Sequence, residues 1–99
     1  MGYYLSKKAE QDVVDIFVRG VATFGIYQAE KYHELLASAL QILSDNPFVA
    51  FERTELSPPV RIHPFKSHVI IYLIDSNGDI FIVRVRHGHE DWRNTNRPE

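Results

Sequence analysis

The periodicities of this sequence predict an α+β fold in two layers: an N-terminal strand, an antiparallel helix hairpin, then an antiparallel three-stranded β-meander. Three observations predict it. Apolar residues recur at steps of three and four from Ala9 to Leu43, β-forming runs take over after Pro59, and Asn77-Gly78 stands between two of those runs. Helices grouped apart from an antiparallel hairpin bury their stripes against one face of its sheet, which gives the two layers.

Tyr3-Tyr4-Leu5 reads as a short strand. Ser6 then offers its hydroxyl to an unpaired backbone N–H at a helix start. Lys7 and Lys8 oppose the dipole of that helix, and Lys8 to Asp12 at i,i+4 partly offsets this. Ala9, Val13, Ile16, Phe17, Val21 and Phe24 make its apolar stripe, and Gly25 supplies the left-handed residue that closes it. A second helix runs from Ile26 to Ser44, with a stripe of Ala29, Tyr32, Leu36, Ala39, Leu40 and Leu43, widened by Leu35 and Ile42. Asp45-Asn46-Pro47 stops it, because proline lacks an N–H and clashes with a further turn. Similar lengths and a short connection make the two helices an antiparallel hairpin.

Residues 46–59 read as irregular. Val60 to His63 alternates as a strand, and Pro64 points to a sheet edge or a bulge. His68 to Asp75 is a strand of β-formers, Asn77-Gly78 signals a two-residue type I′ turn, and Ile80 to His87 returns. That turn pairs Ile74 with Phe81, Tyr72 with Val83, Ile70 with Val85 and His68 with His87 on one face. On the other it pairs Leu73 with Ile82, Ile71 with Arg84 and Val69 with Arg86. The second face is therefore apolar near the turn and basic towards His87. Ile71, Leu73, Ile80 and Ile82 are expected to form its open apolar part, a seat for a partner's helix or added strand.

Ninety-nine residues allow one domain, expected over residues 1–92 with a polar tail at 93–99. No apolar run approaches the ~18 residues of a membrane span, and no charged-then-apolar leader opens the chain, so a cytoplasmic protein with no membrane partner is expected. Zero cysteines remove thiolate chemistry, disulfides and cysteine-based zinc sites. A net charge of −2 argues against a sequence-specific nucleic-acid binder. Charge is uneven, however. Residues 60–88 hold four Lys/Arg against two acids, so a surface for an acidic partner belongs to the carboxy-terminal half.

Three chemistries compete for these residues. His87-Gly88-His89-Glu90-Asp91, with His63 and His68, suggests a metal site, but no HExxH occurs and a His-Gly-His corner is more often a turn; no metal or other cofactor is expected. General acid–base cleavage of RNA could draw on His63, His68, His87, Tyr72, Arg84 and Arg86, against the plainer reading in which Tyr72 packs and the arginines are surface charges. A protein-binding surface is the third, with Trp92 either folded back or anchoring a partner.

The succession Tyr3-Tyr4-Leu5-Ser6, helix pair, Asn46-Pro47, Val60-Arg61-Ile62, His68-Val69-Ile70-Ile71-Tyr72 and Arg84-Val85-Arg86-His87-Gly88, closed by Asp91-Trp92, resembles the ParE toxins of the RelE/ParE superfamily from about Tyr3 to Trp92. The resemblance implies the small two-layer toxin fold of type II toxin–antitoxin systems, a ParD-like antitoxin that wraps the toxin, and DNA gyrase as the poisoned target. The RelE branch instead cuts messenger RNA on the ribosome, with an arginine before the strand-three tyrosine and another after the last glycine. Here Val69 and His89-Glu90 occupy those neighbourhoods and no tyrosine follows Tyr72, so the ParE branch is preferred and no catalytic residue is assigned. The chain departs from the often basic character of the group. Arg84, Arg86, His87, His89 and Trp92, with Arg61 behind them, are the expected target-binding residues.

Overall fold

Ser6 joins the two layers. The computed structural model describes residues 2–89. In it the Ser6 hydroxyl accepts the Ala9 N–H at 2.9 Å and donates to the Val83 carbonyl at 2.7 Å, while the Ser6 N–H donates to the Ile82 carbonyl at 3.0 Å. One residue thus caps the first helix and ties it to the last strand.

The order is β1 (Tyr3–Leu5), α1 (Lys7–Phe24), α2 (Ile26–Asp45), β2 (Glu52–Arg53), β3 (Val60–Phe65), β4 (His68–Ile74) and β5 (Ile80–His87). The sheet runs β1-β5-β4-β3-β2, with β1 parallel to β5 and the other neighbours antiparallel. The predicted strand, helix pair and meander are all present. Glu52–Arg53, within the segment read as irregular, adds a fifth short strand by pairing with Arg61 and Val60. Two charged residues carry no alternation to betray it. Pro64 lies beyond the reach of β2, on the open edge of β3, where its missing N–H goes unneeded.

Gly25 alone connects the helices. Its φ of 91° suits glycine, its N–H bonds to Val21 O and its carbonyl accepts from Ala29 N–H. The helices approach closely where Gly20 meets Ala29: a Cβ built at 20 would lie 3.4 Å from that of Ala29. The core joins Ala9, Leu36, Leu40 and Leu43 of the hairpin to Ile70, Tyr72, Ile80, Ile82 and Val85 of the sheet.

The turn and register correct the sequence reading. Asp75 N–H bonds to Asp79 O and Gly78 N–H to Asp75 O, with Gly78 at φ 84°, so three residues rather than two make the loop. Ile74 therefore faces Ile80, Leu73 faces Phe81 and Tyr72 faces Ile82. A bulge between Ile71 and Tyr72, with Val83 as the extra residue, then restores the expected pairs Ile71–Arg84, Val69–Arg86 and His68–His87. Below the bulge the even residues Ile80 and Ile82 face the helices. Above it Val85 does, and Arg84 and Arg86 pass to the other face.

Asp75 organises the turn. Its surroundings desolvate the carboxyl, which alone would raise its pKa. The Tyr4 hydroxyl and the N–H groups of Asn77, Asp79 and Gly78 outweigh that and hold it below the ordinary 3.8. A carboxyl held lower in the folded chain stabilises it above 3.8, and the contribution is lost as pH falls through the folded value. Asp75→Ala should therefore melt below the parent at neutral pH, and the gap should narrow as the pH drops beneath that range. Melts followed by circular dichroism across the acid range check this; a gap independent of pH would remove the ionised carboxyl from the turn's stability.

Candidate functional site

β1 ends at Leu5, opposite Ile82, so β5 has an open edge from Val83 onwards. Asp12, from the second turn of α1, fills that edge. Its Oδ2 accepts the Val85 N–H at 3.0 Å and Arg84 Nε at 2.8 Å; its Oδ1 accepts the second Arg84 nitrogen at 2.9 Å and Arg86 Nη1 at 3.4 Å. Asp12 is only 7% exposed. Burial of a carboxylate is sustained here by a bidentate guanidinium, a second guanidinium and a backbone donor together. Asp12 thus does more than the i,i+4 spacing from Lys8 alone implies. Its position was legible: it falls three residues after Ala9 and four before Ile16, on the buried stripe, where a carboxylate demands a partner.

Beyond the arginines the strand ends carry a column of imidazoles. His68 and His87 rings stand 5.3 Å apart, and those of His87 and His89 5.2 Å. Tyr32 of α2 bonds to His68 Nδ1 at 2.7 Å and packs edge-on against Phe65. Gly88 N–H closes the end by bonding to Ser67 O, and a Cβ at 88 would sit 3.3 Å from that oxygen. The spacing of Tyr32 shows its helix face but not which strand residue it meets.

Between the hairpin and this end of the sheet lies a cleft of about 610 Å³. Val13, Ile16, Phe17 and Leu36 form its apolar wall, and Arg86, His68 and His87 its polar rim. Volume and lining suit a bound apolar group with a few fixed polar contacts. Among the described residues no three histidine or acidic side chains are grouped to hold a metal ion, and no helix is long and apolar enough to cross a membrane.

A family model described as the ParE toxin of type II toxin–antitoxin system, parDE, matches residues 3–92. The chain belongs to the ParE toxin family. Proteins named Toxin ParE1 from two Mycobacterium tuberculosis strains are each 30% identical to it over 89 residues, covering 90% of this chain and 91% of theirs. A solved structure titled "Chromosomal ParDE TA system from P. aeruginosa" shares the fold, with a TM-score of 0.73 at 20% identity over 88% of this chain and 95% of that one.

Against the ParE expectations the structure sorts the named residues. Arg84, Arg86, His87 and His89 gather at one end of β5, and Trp92 lies outside the described residues. Arg61 stands apart. Two strands away, it donates to Ala50 O at 2.6 Å and stacks over Phe48 at 5.0 Å, bracing the 46–51 segment. The apolar patch is corrected: Ile71, Ile80 and Ile82 are 0% exposed, and of the four only Leu73 has partial exposure. Ile80 and Ile82 sit on the helix face because the bulge reverses the parity that placed them beside the arginines. Of the acid–base candidates, His68, His87, Arg84 and Arg86 share one end of the sheet, and Tyr72 is withdrawn from them. Tyr72 is buried and donates to Pro47 O at 2.8 Å, and burial pushes its phenol above the usual 10.0 against the pull of the Ala50 backbone and Arg61.

Arg84→Ala should destabilise the fold by about 3 kcal/mol, because it strips a buried carboxylate of its bidentate partner. Arg86→Ala, whose contact with Asp12 is a single longer one at 3.4 Å, should cost less than Arg84→Ala. Urea denaturation of both variants measures the difference, and equal losses would contradict this division of the Asp12 clamp.

Proposed function

We propose that this chain is the toxin of a type II toxin–antitoxin pair and arrests growth by binding DNA gyrase, with no enzymatic step of its own. The observation that carries the reading is the gathering of Arg84, Arg86, His87 and His89 at one rim of the sheet, beside a cleft, in a chain of the ParE family. Fixed cations at one rim suit an acidic protein surface and steer its approach. Trp92 follows this rim in sequence and supplies an aromatic anchor of the kind that concentrates binding energy. A binding mode without chemistry is supported by Tyr72, whose hydroxyl is buried on a backbone carbonyl rather than presented to a phosphate.

A ParD-like antitoxin neutralises the toxin in this reading, seated in the groove between helix pair and sheet and not on the buried Ile71, Ile80 and Ile82. Phe24 at the hairpin tip lines the cleft, and the exposed Ile26 and Tyr27, next but one and beyond in sequence, add apolar surface at that tip. Both partners place the action in the cytoplasm.

The purified chain should inhibit gyrase supercoiling and accumulate broken DNA, leave messenger RNA intact, and lose both effects on adding its antitoxin. Replacing Arg86, His87 and His89 together by alanine should weaken inhibition about tenfold or more while the melting temperature stays near the parent's. Cleaved messenger RNA with untouched supercoiling would overturn the reading in favour of the ribosome-dependent nuclease branch.

A further inference from the structure

Resting on the reading that the β5 cations meet the target, we propose that Asp12 is the positioning residue of that surface: its one buried carboxylate holds Arg84 and Arg86 in a fixed, paired geometry. Arginines two residues apart on a strand lie on one face about 7 Å apart. Unrestrained, they repel and each samples many rotamers. Here both reach round the open edge of β5 to the same carboxylate, Arg84 through two nitrogens and Arg86 through one.

Closing the sheet edge does not require this arrangement. The Val85 N–H needs only one acceptor, and a neutral amide could serve it. The carboxylate does more than that donor asks, and what it adds is a guanidinium pair ordered before any partner arrives. Ordering in advance lowers the entropy that binding would otherwise cost. Asp12 thus acts through the arginines, from inside the fold, without itself touching the target.

The test uses the full chain, with the folded fraction measured by circular dichroism and urea denaturation so that inhibition is expressed per folded molecule. Asp12→Asn should keep the parent's circular dichroism spectrum and a cooperative melt yet inhibit gyrase about tenfold less per folded molecule. Asp12→Glu, which keeps the charge, should recover part of that loss. Combining Asp12→Asn with Arg86→Ala should cost less than the product of the two single losses, because both act on one element. Arg84→Lys keeps the positive charge but not the fork, and should also lose about tenfold, so the question stays answerable if Asp12→Asn does not fold. Full inhibition by Asp12→Asn or by Arg84→Lys, or losses that multiply independently, would overturn the inference. If the Arg86, His87 and His89 triple variant inhibits like the parent, the gyrase-surface reading falls; if only Asp12→Asn and Arg84→Lys stay active, the positioning role alone falls.

Discussion

One extra residue in β5 governs the rest of the molecule. A strand alternates its side chains strictly, so an unbroken β5 would carry Arg84 and Arg86 on the face that holds Ile80 and Ile82. Two guanidinium groups would then enter the core under the helices. The bulge at Val83 reverses the alternation once. It sends Val85 into the core, turns both arginines outward, and aims the Val85 N–H at the open edge where Asp12 receives it. Ser6 grips the same spot from the helix side. The helix cap, the open sheet edge and the cationic cluster therefore meet at a single local irregularity.

The fold was legible because its elements have strong and separate periods. The apolar stripe of α1, the proline stop after α2 and the run from Val69 to Ile74 each state their element without reference to the others. The turn was half legible. Asn77-Gly78 located it, yet Asp75, through two side-chain bonds to N–H groups beyond it, favours the longer loop. Its three residues shift the register by one, and Val83 shifts it back. For that reason the two-residue turn yields the true pairs near the histidines and false ones near the turn. Only long-range contacts fix such compensating shifts, and a pattern of single residues does not contain them.

The candidate site divides in the same way. Its cations were visible as a charge imbalance in the last third of the chain, and their common face followed from the far half of the hairpin. Their buried counter-charge was not visible as such, because Asp12 lies more than seventy residues away and reads first as helix-surface polarity. Membership of the ParE family accounts for the overall design, but the roles of the individual β5 residues come from the geometry of this edge.

The single-residue joint at Gly25 has a further consequence. With one glycine between two helices, and Gly20 seated against Ala29 along their length, the hairpin has little freedom to splay. It behaves as a stiff wedge laid on the sheet, and the cleft beneath it keeps a nearly constant width. A polypeptide seated there would have to fit a width set by that joint and that close contact.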